Sequence, residues 1–139
     1  MPVGNTDPAG LLHNRQFALW PYSRINDPRV TWRDSFVLLK AESAIQPFKM
    51  GYFNPHGWLA YWVDGILFQK TFEVHPGLQH PDNNCNAETY CNNQFVEIES
   101  LAPLGKLNPG ACVRHVESWD VFYGLESLPE EIQEALSVS

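Results

Sequence analysis

The sequence predicts an all-β fold, an antiparallel β-sandwich with a short C-terminal helix. Three observations carry this. Aromatic residues make up 13% of the chain, five of them Trp, and aromatic side chains suit the pleated, half-buried surface of a strand. Eleven Pro and nine Gly supply turns at a density that fits short strands better than helical bundles. Short apolar or alternating runs recur between those turn residues. At 139 residues the chain is expected to form one domain, 1–139, able to bury a core without disulfide staples.

The elements follow in order. Residues 1–15 read as an extended arm. Gln16–Trp20 is the first strand signal and Pro21 stops it. Residues 22–34 hold Asn26-Asp27-Pro28, a turn signal, and read as a loop or a single helical turn. Five strands are then expected at Phe36–Ala41, Phe48–Phe53, Trp58–Val63, Ile66–His75 and Gln94–Ser100. Asp64-Gly65 is a two-residue hairpin turn of the kind that requires positive φ. Asn54-Pro-His-Gly57 is a second tight turn, so the strands on either side of these two turns are expected to form a three-stranded meander. Residues 76–93 read as a long polar connection, the kind of loop that often carries function. Leu107-Asn-Pro-Gly110 turns into a last strand, Cys112–Tyr123. Residues 127–137 read as a helix: Ser127 and Glu130 make a capping box around Pro129, and Ile132 and Leu136 form an apolar stripe.

The formal net charge is −7, and no basic patch interrupts it. That argues against nucleic acid and against anionic membrane surfaces as partners. Met1–Gly10 has no basic flank leading into an apolar stretch, and no window approaches the ~20 apolar residues of a membrane span. A cytoplasmic protein is expected. The three cysteines, Cys85, Cys91 and Cys112, are expected as free thiols, with Cys85 and Cys91 able to meet across a loop. Neither spacing matches a zinc motif, so no metal or cofactor is expected. A phosphate-cradling Gly-rich loop and a Gly-x-Ser-x-Gly nucleophile motif are both missing from the sequence.

Alternation places the candidate chemistry. In Ile66–His75 one row is Gln69, Thr71, Glu73 and His75; in Gln94–Ser100 the row opposite Val96 and Ile98 is Glu97 and Glu99. On one concave sheet face, Glu73, His75, Glu97 and Glu99 would suit hydrogen bonding to sugar hydroxyls or proton transfer. The plainer reading is a solvated outer face. A surface or loop-structuring role is the plainer reading of His75 and His80 as well. A metal site from Glu73, His75, His80 and Glu88 would match no defined motif. Trp20-Pro-Tyr22-Ser-Arg24 offers two aromatic faces and a guanidinium at a strand end. Arg24 has an alternative in pairing with Asp27 or Asp34.

Several segments carry a resemblance: Ala18–Arg24 with Asp27-Pro-Arg29, Gly57–Tyr61, Ala87–Tyr90, Phe95–Leu101, Pro103-Leu104, Leu107-x-Pro-Gly110 and His115-x-Glu-x-Trp119. In this order, over roughly residues 11 to 123, they resemble an uncharacterised bacterial domain family of the galactose mutarotase-like superfamily, matching its C-terminal half. The resemblance implies a β-supersandwich and, from the best-known members, interconversion of sugar anomers by His and Glu. Other members of the group are noncatalytic or act on modified sugars.

Residues and resemblance together lead to one expectation. The chain binds a carbohydrate or related polyol on a concave sheet face. Trp20, Tyr22 and Arg24 hold the ligand, with Glu73 and Glu88. If the chain is an epimerase, His75 or His80 is the acid and a glutamate such as Glu97 or Glu99 the base. Half a sandwich would expose apolar sheet and open edges, so a homo-oligomer is expected to complete it. The alternative is a noncatalytic oligomeric interaction or scaffold protein without a small ligand.

Overall fold

The computed structural model describes residues 7–41 and 46–127. Their regular structure is almost entirely antiparallel β. Nine strands form three sheets: β1 (Phe17–Leu19), β4 (Phe48–Tyr52), β7 (Ala87–Cys91) and β8 (Val96–Ser100) in one; β2 (Val30–Trp32) and β3 (Val37–Leu39) in a ribbon; β5 (Trp58–Val63), β6 (Ile66–Phe72) and β9 (Glu117–Tyr123) in the third. One four-residue helical segment, α1 (Pro81–Asn84), precedes β7. Among the described residues no helix is long and apolar enough to cross a membrane.

The Asp64-Gly65 hairpin forms as expected. Both residues take positive φ, 48° and 77°, and the strands pair from Val63↔Ile66 to Trp58↔Thr71. The expected meander does not form, because β4 pairs with β1 and β7 instead. Two buried asparagines redirect the chain. Asn54 donates its backbone N–H to Asn86 Oδ1 at 2.6 Å, and Asn86 Nδ2 returns a bond to the Asn54 carbonyl at 3.0 Å. Asn54 Nδ2 then holds the Trp58 carbonyl at 2.7 Å, fixing the entry to β5 in the other sheet.

Two strands lie where the sequence reads as loop. β2 falls inside residues 22–34. β7 falls inside 76–93, yet it is the interior strand that joins β4 to β8. Its residues alternate small groups on the core side, Ala87, Thr89 and Cys91, with Glu88 and Tyr90 on the other. It buries little apolar volume of its own, so it leaves no hydrophobic run to read. β6 ends at Phe72, short of His75, and β9 begins at Glu117, leaving 111–116 without regular structure. Of the expected arm, residues 7–15 are exposed and residues 1–6 lie outside the described residues. Beyond Ser127, the expected helix over 127–137 also lies outside them.

One face of the four-stranded sheet carries the core. Phe48, Met50 and Cys91 pack with Val37 of the ribbon. Tyr52 and Ala87 pack with Leu59 and Phe72 of the three-stranded sheet. That face is thus covered at one end by β2–β3 and at the other by β5–β6, a sandwich-like arrangement. Full burial of a side chain such as Leu59 or Phe48 stabilises by about 1.5–3 kcal/mol. All three cysteines are free thiols. Cys91 lies in this core, whereas Cys85 packs over Gly51 on the opposite face, which keeps the two apart.

Candidate functional site

The opposite face of the four-stranded sheet is polar. The register aligns Gly51 with Glu88 and Glu88 with Glu99, and aligns Lys49 with Tyr90 and Tyr90 with Glu97. Aligned residues point the same way, so Lys49, Glu88, Tyr90, Glu97 and Glu99 share a face with the small residues Ala18 and Gly51. Lys49 is its centre. Its Nζ lies 2.8 Å from Glu88 Oε2, 3.1 Å from Glu99 Oε1 and 4.8 Å from the Trp20 ring centre.

The chain leaving β1 is strapped over this face. Ser23 Oγ donates to the Lys49 carbonyl at 2.6 Å and accepts from the Lys49 N–H at 2.8 Å. A turn closed by the Ser23 N–H on the Trp20 carbonyl, at 2.8 Å, brings both aromatics along. Tyr22 meets Tyr90 edge to face, with ring centres 6.5 Å apart. Gly51 is required beneath. A Cβ there would sit 2.9 Å from Cys85 Sγ and 3.0 Å from Glu88 Cγ.

Burial pushes the Glu88 carboxyl up; the Lys49 bond pulls it down and the Asp82 carboxylate adds to the rise, leaving it above the ordinary range. Its Oε1 is buried without a hydrogen-bond partner. Burial works against the Lys49 ammonium, but its bonds to Glu88 and Glu99 prevail and hold it above the ordinary lysine value. Desolvation raises the Tyr22 hydroxyl. Burial, reinforced by Glu88, pushes the Cys85 thiol up to about 12, so it is not a nucleophile near neutral pH.

Of the residues singled out in the sequence, Trp20, Tyr22, Glu88 and Glu99 meet here, and Glu97 stands exposed on the same face. The others do not join them. Glu73 and His75 follow β6 in a different sheet from β8, which prevents the expected convergence with Glu97 and Glu99. They lie 3.9 Å apart, Oε1 to Nδ1, with Glu73 exposed. His80 is buried, its ring edge-on to Phe53. Arg24 is exposed, while Asp27 is engaged by Arg29 rather than by Arg24. Sequence reading missed Lys49. The signal was a lone charge at an alternate position of an otherwise apolar strand, Phe48-Lys-Met-Gly-Tyr52.

A second polar cluster clasps β8 to β9. Lys70 is buried, donating to the Ile98 carbonyl at 2.7 Å and pairing with Glu117 Oε1 at 3.1 Å. Ser100 Oγ donates to the same Oε1 at 2.5 Å, and Trp119 Nε1 donates to Oε2 at 3.0 Å. Burial opposes the Glu117 carboxylate, but these three donors hold its pKa below the ordinary range. With its one hydrogen committed to Glu117, Ser100 accepts from His115 Nε2 at 2.7 Å. His115 therefore donates toward the hydroxyl and does not activate it, so Ser100 is a clasp and not a nucleophile.

Among the described residues no group of three or more His, Cys, Asp or Glu is placed to hold a metal ion. No family model, curated protein or solved structure matches the chain.

Proposed function

We propose that the chain binds a carbohydrate or related polyhydroxylated ligand on the polar face of the four-stranded sheet, in the manner of mutarotase-like proteins. The observation that supports this most is the assembly around Lys49: the Trp20 ring and two carboxylates gathered by a single ammonium, with Tyr22 set against Tyr90 on the same face. Pyranose rings offer C–H faces for Trp20 and Tyr22. Their hydroxyls find donors in Lys49 and Tyr90 and acceptors in Glu97 and Glu99. Glu99 keeps a third of its side chain exposed, so it is already partly solvated and open to a ligand. Epimerisation needs an acid and a base on the ring. Neither His75 nor His80 lies on this face, so the geometry favours binding over turnover.

Saturation-transfer NMR with a panel of common aldoses tests the reading. Binding of at least one sugar, weakened by Trp20→Ala and Glu99→Gln, supports it; silence across the panel overturns it. Anomeric exchange in the same spectra separates an epimerase from a binding module.

A second reading is an oligomeric interaction protein. The face that buries Leu59 and Phe72 continues outward to Val63, Ile66, Trp119, Val121 and Tyr123, all exposed. The outer edge of β9 pairs with no described residue. Antiparallel pairing with a second β9 about Val121 would set Trp119 against Tyr123 and keep the two Asp120 carboxylates apart. Light scattering checks this: a mass that stays monomeric at every concentration removes it.

A further inference from the structure

We propose that the hollow beside the His80–Cys85 turn is a second binding site, one that takes a small cationic amino alcohol. The hollow is about 590 Å³, open to solvent, and walled by Gln16, His80, Asp82, Asn83, Asn84 and Leu104 among others. That volume falls in the range of small-molecule sites. None of the residues around Lys49 lines it, so it stands independently of the carbohydrate reading.

His80 supplies the first argument. It is 3% exposed, and its Nδ1 lies 3.1 Å from the Leu78 carbonyl oxygen. A carbonyl only accepts, so Nδ1 carries the hydrogen, and in the neutral ring Nε2 presents a lone pair. Nε2 meets no hydrogen-bond partner among the described residues. His80 lines the hollow, and a ring nitrogen without a protein partner can accept from a ligand there.

The turn supplies the second. Asp82, Asn83 and Asn84 take φ of 49°, 60° and 69° in succession, a left-handed turn made of L-residues. Single Asx residues tolerate this region; three in a row are unfavourable unless the surroundings enforce them. Here they are enforced. The His80 N–H donates to Asn84 Oδ1 at 2.9 Å, the Cys85 N–H to the Pro81 carbonyl at 2.8 Å, and Cys85 Sγ to the Asp82 carbonyl at 2.8 Å. The result holds a carboxylate and two side-chain amides around the rim, all three side chains exposed.

Charge selects the ligand. The lining includes the Asp82 carboxylate and no Lys or Arg. An ammonium would pair with that carboxylate. A hydroxyl on the same molecule would donate to His80 Nε2, and the Asn and Gln amides can give or take the remaining hydrogen bonds.

The test is NMR of the full chain labelled with ¹⁵N-histidine, titrated with ethanolamine at about pH 8, above the ordinary imidazole range. Ethylene glycol and acetate serve as the neutral and anionic controls. A saturable shift of His80 Nε2 with ethanolamine alone is expected. Asp82→Asn should weaken that binding about tenfold, or 1.4 kcal/mol, with backbone spectra otherwise unchanged, because Asn also tolerates the left-handed region. The proposal is overturned if ethanolamine gives no saturable shift, if ethylene glycol acts equally well, or if Asp82→Asn binds as tightly as the native chain.

Discussion

Arg29 lies along the carboxylate of Asp27, Nε to Oδ1 and Nη2 to Oδ2, each at 2.9 Å, with both side chains closed off from solvent. The Asp27 carboxylate also accepts the Arg29 backbone N–H at 3.0 Å, so the pair shapes the entry to β2. Arg29 reaches on to Cys91 Sγ at 3.5 Å and over the Phe48 ring, tying that turn to the core. Asp27→Ala would strip the buried guanidinium of this bidentate carboxylate, and a loss of about 3–5 kcal/mol is expected in urea unfolding.

The same pair sets part of the acid response. The Arg29 side-chain hydrogen bonds hold Asp27 below its ordinary value of 3.8. For a carboxyl lowered in the folded state, the stability it contributes is present above the ordinary value and lost as pH falls through the folded one. Below about pH 4, the native chain should therefore lose stability more steeply than Asp27→Asn, as read from thermal midpoints across an acid series.

Glu88 responds with the opposite sign. Burial holds its carboxyl above the ordinary 4.5, so its contribution is fully present below that value and declines as pH rises through the raised one. Glu88→Gln removes the titration while keeping the shape. Its thermal midpoint should show a smaller decline from mildly acidic toward neutral pH than the native chain does. Equal slopes in the two proteins would show that Glu88 does not titrate there.

Gly57 links β5 to the end of β6. It takes φ of +68°, and a Cβ would lie 2.5 Å from the Phe72 carbonyl oxygen and 2.8 Å from Val74 Cγ2. The Phe72 N–H also donates to the Gly57 carbonyl at 2.8 Å, so the backbone has no room to retreat. Gly57→Ala should destabilise by about 1–3 kcal/mol, read as an earlier midpoint in chemical unfolding.

These local features explain what was legible in the sequence. Asp64-Gly65 names its own turn, and the runs around Phe48–Tyr52 and Trp58–Val63 announce strands because their side chains fill the core. β7 was hidden because Ala87, Thr89 and Cys91 fit under larger neighbours and leave no apolar stretch. The site was half legible for the same reason. Trp20 and Tyr22 stand out by type, and Glu88 and Glu99 by charge. Lys49 became their centre only through a pairing of β4 with β7 that no local pattern encodes, since residues 49 and 88 meet across the sheet. His75 and Glu73 went astray because alternation assigns a face within one strand but not the sheet to which that strand belongs.

Ser23 tests whether the strap over the Lys49 face serves the ligand. Its hydroxyl both donates to and accepts from the Lys49 backbone, at 2.6 and 2.8 Å, and it is the anchor that keeps Trp20 and Tyr22 above the carboxylates. Ser23→Ala removes two hydrogen bonds at a half-buried position, an expected loss of about 1–3 kcal/mol in urea unfolding. If the aromatics act on a bound ring, the same variant should weaken sugar binding several-fold while the Lys49–Glu88–Glu99 contacts persist. The Trp20 indole resonance should broaden or shift as its restraint is lost. A variant that is destabilised as expected but binds undiminished would assign the strap to stability alone and leave recognition to the charged residues.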